Sequence, residues 1–148
     1  KPSSAASDVY KRQGWLHTGD LGRLDHDNRL YLVDRKGDMI ISGGYNICPR
    51  EIEDVIAEVA EVNEVAVLGA SDKEWGQRVT AFVSLKPQSD LDEQTLIAKV
   101  LEHCKSKLAS YKKPKDVFIV KEFPLNSTGK ISKKTLKANL EKGLSEQK

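Results

Sequence analysis

One lysine at the tip of a glycine-containing turn is the residue of this chain best placed to do chemistry. It is Lys130, in Pro124-Leu125-Asn126-Ser127-Thr128-Gly129-Lys130-Ile131, between a strand-like run at Val117 to Val120 and a helix. Turns rich in Asn, Ser, Thr and Gly are exposed and hold a side chain away from the core of their own domain. A cation on such an arm can reach an anionic group held elsewhere. Two further segments stand at set separations from it: Gly14-Trp15-Leu16-His17-Thr18-Gly19-Asp20-Leu21-Gly22, and DRKGDMIISGGYNICPREIE from Asp34 to Glu53. In the latter, Gly43 and Gly44 follow Ser42 on a strand-like stretch. Adjacent glycines there mark either a close approach of backbone to ligand or a β-bulge. Arg35 stands beside Asp34 and near Asp38, so a structural ion pair competes with any binding role. Taken singly, a Thr-Gly-Lys turn is most often a solvated lysine and Gly19-Asp20 merely a turn. The weight lies in the three together.

In order and spacing the three segments resemble the C-terminal lid of the adenylate-forming superfamily: acyl-CoA synthetases, aryl-CoA ligases, beetle luciferases and peptide-synthetase adenylation domains. Within it the chain is most similar to the acyl-CoA synthetases (fatty-acid–CoA ligases), over about residues 14–140. The resemblance implies two half-reactions. A carboxylate attacks the α-phosphate of ATP to give an acyl-adenylate and pyrophosphate; a thiol, usually that of coenzyme A, then displaces AMP. Lys130 matches the family lysine that touches both anions in the first half. Asp20 matches the acid that accepts hydrogen bonds from the ribose hydroxyls, since one carboxylate can accept from both neighbours. Arg35 matches an arginine that contacts the nucleotide. Ser42, Gly43 and Gly44 match a strand that faces the active site after the lid rotates and lets the pantetheine arm pass, with Tyr45 bordering that thiol path. Lys112, Lys113 and Lys115, beside Pro114, are candidates for the coenzyme A phosphates.

Gly37 falls at the hinge about which the lid reorients. Most relatives carry Asp or Lys there, and Lys36 is the charged neighbour that can substitute; a glycine absorbs large φ/ψ changes without steric cost. The resemblance implies ATP and coenzyme A as co-substrates, with Mg²⁺ bound mainly by a larger N-terminal domain. That domain also carries the family's phosphate loop and acid pocket, neither of which is found in these 148 residues. The chain is therefore expected to be a C-terminal fragment, inactive alone, whose partner is the missing N-terminal domain.

Composition narrows the alternatives. A chain of 148 residues can bury one modest core with a small appendage, and 31% charged with 39% hydrophobic residues is ordinary for a soluble globular domain. No apolar run approaches the roughly 18 residues that span a bilayer, and the start lacks a signal-like segment. Cys48 and Cys104 are far apart, so a reduced cytoplasmic setting with both as small core residues fits best. His17, His26 and His103 are scattered, and no metal site is expected. Charge is uneven: residues 1–100 carry a net −5 and residues 101–148 a net +7.

The elements that must hold these residues are short. Residues 1–13 lack periodicity and read as a flexible or foreign lead. Residues 14–36 read as the end of a nucleotide-binding domain with a hinge strand, 37–142 as the lid and 143–148 as a tail. Leu30–Val33 and Met39–Ser42 flank a tight polar connection. A helix starts at Pro49 and buries Ile52, Val55, Ile56 and Val59. Glu64–Ala70, Arg78–Leu85 and Asp116–Lys121 read as strands. A second helix starts at Asp90, capped with the help of Glu93, and buries Ile97, Val100, Leu101, Cys104 and Leu108. The last helix has Ser132 as its N-cap and an Ile131/Leu136 staple. The fold class is α+β: a small mixed sheet with packed helices, preceded by a β-hairpin carrying the hinge.

Three other readings compete. A peptide-synthetase adenylation lid normally shows Lys-x-Arg-Gly where this chain has Ile41-Ser42-Gly43-Gly44. Luciferase-like oxidation uses the same lid but depends on an acid pocket not found here. A lysine-rich nucleic-acid-binding module predicts exposed aromatics interleaved with lysines. After residue 100 only Tyr111, Phe118 and Phe123 are on offer, the phenylalanines in or beside a strand.

Overall fold

The computed structural model describes Lys11–Arg12 and residues 15–146, with side-chain surroundings for 15–143. The chain divides into two compact units, one ending at Asp38 and the other beginning at Met39. Most of the segment read as a lead lies outside the described residues. Its strand β1 (Lys11–Arg12) pairs antiparallel with β2 (Trp15–Leu16).

The first unit also contains the hairpin of β3 (Asp20–Leu24) and β4 (Leu30–Arg35). Asp25 builds its loop: the carboxylate accepts the backbone N–H groups of Asp27 and Arg29, both at 2.9 Å, and the Tyr31 hydroxyl at 3.1 Å. The Arg29 backbone bond is the main reason its carboxyl is held below the usual range. The two runs flanking the polar connection belong to different sheets: β4 pairs back onto β3. The cause is local. Arg35-Lys36-Gly37-Asp38 closes as a β-turn, Asp38 N–H donating to Arg35 O at 3.0 Å, and Lys36 N–H donates to Gly19 O at 2.8 Å. The strand end is thereby fixed to the start of β3.

The second unit is a mixed five-stranded sheet between helices. Its strands are β5 (Ile40–Ser42), β6 (Tyr45–Ile47), β7 (Val62–Asp72), β8 (Gly76–Leu85) and β9 (Asp116–Ile119). The order is β6-β5-β8-β7; β9 runs parallel to β8 from Thr80 onward, beyond the Ser42–Gly76 pairing that joins β5 to β8. Strand β8 is therefore central, and every residue from Val79 to Ser84 is buried rather than alternating. Val79, Ala81 and Val83 join the core formed with α1 (Pro49–Ala57) and α2 (Glu93–Lys107), while Phe82 joins a second core under α3 (Lys133–Glu146). The small polar residues on this second face are satisfied in place. The Thr80 hydroxyl donates to Arg78 O at 3.4 Å, and Ser84 Oγ accepts Glu64 N–H at 3.1 Å, where the β7 register shifts.

Helix α1 buries Ile52 and Ile56 completely, with Pro49 at its first turn, where a missing N–H costs nothing. Helix α2 starts later than its sequence suggests. Asp92, not Asp90, is the N-cap, its carboxylate accepting Thr95 N–H at 3.0 Å. Leu91 packs against the core from outside the helix, which an earlier start would prevent. The buried row is accordingly Leu96, Val100, Cys104 and Leu108, and Leu101 is exposed. Burial pushes the Cys104 thiol up to about 11, whereas Cys48 is only half-buried; neither forms a disulfide. In α3 the expected cap and staple are present: Ser132 Oγ accepts Thr135 N–H at 3.3 Å, and Ile131 and Leu136 share the second core. The helix continues to Glu146, into the segment read as a tail. No helix among the described residues is long and apolar enough to cross a membrane.

Candidate functional site

Lys130 stands on a braced arm. Leu125 and Ile131 form an antiparallel bridge, and Asn126 and Lys130 close the turn with Asn126 N–H donating to Lys130 O at 2.8 Å. Inside it, Asn126 Oδ1 accepts three donors: Thr128 N–H at 2.9 Å, Thr128 O–H at 2.7 Å and Lys130 N–H at 3.0 Å. Gly129 takes a left-handed φ of 80°, which glycine adopts without penalty. The Lys130 side chain is exposed and makes no ion pair among the described residues. A rigid backbone thus presents an uncommitted cation. Asn126, which fills the turn, received no role from sequence alone.

Ser42, Gly43, Gly44 and Tyr45 are brought together: Ser42 ends β5 and Tyr45 begins β6, while the two glycines between them form neither strand nor bulge. Gly43 and Gly44 are the two-residue turn of the β5–β6 hairpin, with φ of 55° and 84°. Two successive left-handed residues give the turn type whose twist matches the flanking strands. The turn is pinned by Gly43 N–H to Trp75 O at 2.9 Å and Ile41 N–H to Gln77 Oε1 at 2.8 Å. Gly43 has no room for a side chain: an added Cβ would lie 2.5 Å from Trp75 Cε3. Gly44 faces open space, with nothing within 4 Å. The β7–β8 loop sets Trp75 in turn, since Asp72 Oδ1 accepts the N–H groups of Glu74 and Trp75, both at 2.9 Å.

An aromatic and cationic cluster adjoins this turn. Tyr45 stacks on Tyr111 with ring centroids 4.5 Å apart, and Lys115 Nζ lies 6.0 Å from the Trp75 ring centroid. Lys112 is committed elsewhere: both Glu51 carboxylate oxygens lie 2.8 Å from its Nζ, and that hydrogen bond raises its pKa. Lys113 and Lys115, with Lys105 and Ser110, line an open groove of about 400 Å³. Sequence reasoning missed Trp75 and assigned nothing to Tyr111. Their signal is faint, an exposed aromatic beside a glycine or a lysine pair.

In the first unit Asp20 and Arg35 are direct cross-strand partners, with Arg35 Nε 3.5 Å from Asp20 Oδ1. The arginine's expected competitors are not its ion-pair partners here; Asp34 instead accepts the Arg35 backbone N–H at 2.7 Å. Gly19, at φ 81°, makes the bend that turns Asp20 into β3. Lys36 and Gly37 occupy the turn that follows β4. Gly37 is outside the left-handed region, and an added Cβ would meet nothing within 4 Å. Gly37→Ala is therefore expected to raise the chain's unfolding free energy by about 0.4–1 kcal/mol, through lost unfolded-state entropy. Urea denaturation checks this; a clear loss of stability would mean that the turn itself needs glycine.

Among the described residues no group of three or more His, Cys, Asp or Glu side chains is arranged to hold a metal ion.

Residues 51–130 match the family described as the AMP-binding enzyme C-terminal domain. The chain belongs to this family. As a member of the AMP-binding C-terminal domain family it is 44% identical over 135 residues to the medium/long-chain-fatty-acid–CoA ligase FadD8 of Mycobacterium tuberculosis, covering 89% of this chain and 24% of that protein. It is 47% identical over 124 residues to the 2-succinylbenzoate–CoA ligase of Listeria monocytogenes, covering 84% and 25%. Among solved structures, the o-succinylbenzoate CoA synthetase of Bacillus subtilis in complex with its acyl-adenylate intermediate superposes with a TM-score of 0.78 at 40% identity, covering 91% of this chain and 27% of that one. The resemblance drawn from the three sequence segments is thus borne out. The chain spans about a quarter of the length of the curated relatives it matches.

Proposed function

We propose that this chain is the C-terminal part of an AMP-forming acid–CoA ligase and supplies the moving half of its active site. The braced, uncommitted Lys130 carries this reading. In the first half-reaction its ammonium lies between the substrate carboxylate and the α-phosphate of ATP. It offsets their mutual repulsion while the carboxylate–phosphorus bond forms and the bond to pyrophosphate breaks. Asp20 accepts hydrogen bonds from the ribose hydroxyls, and Arg35, held beside it, donates to the nucleotide. The turn at Lys36 and Gly37 is the hinge between residues 14–36, which close the nucleotide site, and the lid of residues 37–142. In the second half-reaction the Ser42–Tyr45 hairpin walls the path of the pantetheine arm, and Lys113 and Lys115 meet coenzyme A phosphates.

The acid is a fatty or other hydrophobic carboxylic acid. Relatives named for fatty acids and for 2-succinylbenzoate match at near-equal identity, which supports placing the choice of acid outside this segment. Dependence on ATP and coenzyme A fits a cytoplasmic setting, and the N-terminal domain of such an enzyme is the expected partner. A chimera tests the reading. Joined to the N-terminal part of the FadD8 relative in place of that protein's own C-terminal segment, the chain should support acid- and CoA-dependent AMP release. A folded, ATP-binding chimera that forms neither adenylate nor thioester would overturn it.

A further inference from the structure

Strand β7 is an edge of the sheet, so its outward N–H groups have no strand partner. Glu53 of α1 reaches one of them: its Oε1 accepts Val67 N–H at 2.8 Å. The same oxygen lies 2.7 Å from Lys133 Nζ, with the Glu53 and Lys133 side chains only 16% and 26% exposed. Helix α1 packs in the core on one face of the sheet and α3 in the core on the other. The ion pair therefore passes around the β7 edge and ties the two helical layers together. Lys133 is the first residue of α3 and only three positions beyond Lys130. Between them, Ile131 bridges to Leu125, and Ser132 N–H donates to Pro124 O at 2.7 Å. Such a stem has little slack, so movement of Lys133 carries into the turn.

We propose that the Glu53–Lys133 pair is a strut that sets the position of Lys130, making both positioning residues for the adenylation step. A half-buried ion pair loses much of its attraction to desolvation, so stability alone is a weak reason for one. A neutral glutamine at 53 would cap Val67 N–H as well; the carboxylate's charge is needed only for Lys133. This inference rests on the role given to Lys130, and the tests separate the two.

In the chain alone, Glu53→Gln and Lys133→Met should each speed hydrogen exchange of the Lys130 amide by roughly tenfold, a local opening. Val67 should stay protected in Glu53→Gln, and Lys133→Arg should behave as the parent. In the chimera, both variants should slow adenylate formation by roughly tenfold or more, as small misplacements of a reacting group do. Thioester formation from a supplied acyl-adenylate should change by less than about twofold. Unchanged exchange at Lys130, or equal loss of both half-reactions, would overturn the strut. Loss of exchange protection beside a fully active Lys130→Ala enzyme would keep the strut and reject the role of Lys130 instead.

Discussion

Lys130→Ala, in an enzyme that carries this chain as its C-terminal part, should lower acyl-adenylate formation by roughly 10²–10³-fold, about 3–4 kcal/mol of transition-state stabilisation. The expectation is large because nothing among the described residues of the second unit competes for this ammonium. It makes no ion pair among the described residues, and its turn is braced by the three bonds that Thr128 and Lys130 donate to Asn126 Oδ1. The variant should melt with the parent, since an exposed turn side chain adds little to folding. Acid-dependent pyrophosphate exchange measures the first half-reaction, and coenzyme A added to pre-formed acyl-adenylate measures the second. Loss confined to the first is the expected pattern. Equal losses would show that the lysine acts in both conformers or only holds the fold.

Gly44→Leu should give the reverse pattern. The side chain would enter the space beyond the β5–β6 turn, where the pantetheine arm is proposed to pass. Pyrophosphate exchange should stay near the parent's while acyl-CoA output falls by roughly tenfold or more, the mark of a contact that matters in one step only. At φ 84° a leucine is also strained, by roughly 1–2 kcal/mol. Gly44→Asn is the matched control, because asparagine tolerates the left-handed region and still adds a side chain. If both variants fold and make thioester at the parent's rate, the assignments of Ser42, Gly43, Gly44 and Tyr45 to the thiol path fail together.

Much of this was legible in the residues because the signals were local. The Lys130 turn and the Ser132 cap each rest on side chains within a few positions of one another. The sequence points to a start of α2 two residues early because Asp90 and Asp92 are equally good caps by type, and only the packing of Leu91 decides between them. The Gly43–Gly44 pair reads as strand in the sequence because the three-residue β6 is too short to announce a hairpin partner. Trp75, Tyr111 and the Glu53–Lys133 pair escaped for a different reason. Each works through a contact between residues 32 to 80 positions apart, Gly43 with Trp75 being the shortest and Glu53 with Lys133 the longest.

The charge asymmetry of the chain looks different once those contacts are known. Carboxylates at Glu51, Glu53 and Glu58 meet Lys112, Lys133 and Lys107, so the basic C-terminal third spends several of its lysines on the acidic segment that precedes it. As a polymer, the unfolded chain is a diblock with opposite net charges. Its two ends attract over about a Debye length, roughly 8 Å at physiological salt. The denatured ensemble is accordingly drawn toward compactness, with α1's carboxylates biased toward the lysines they face in the native state before any core has formed.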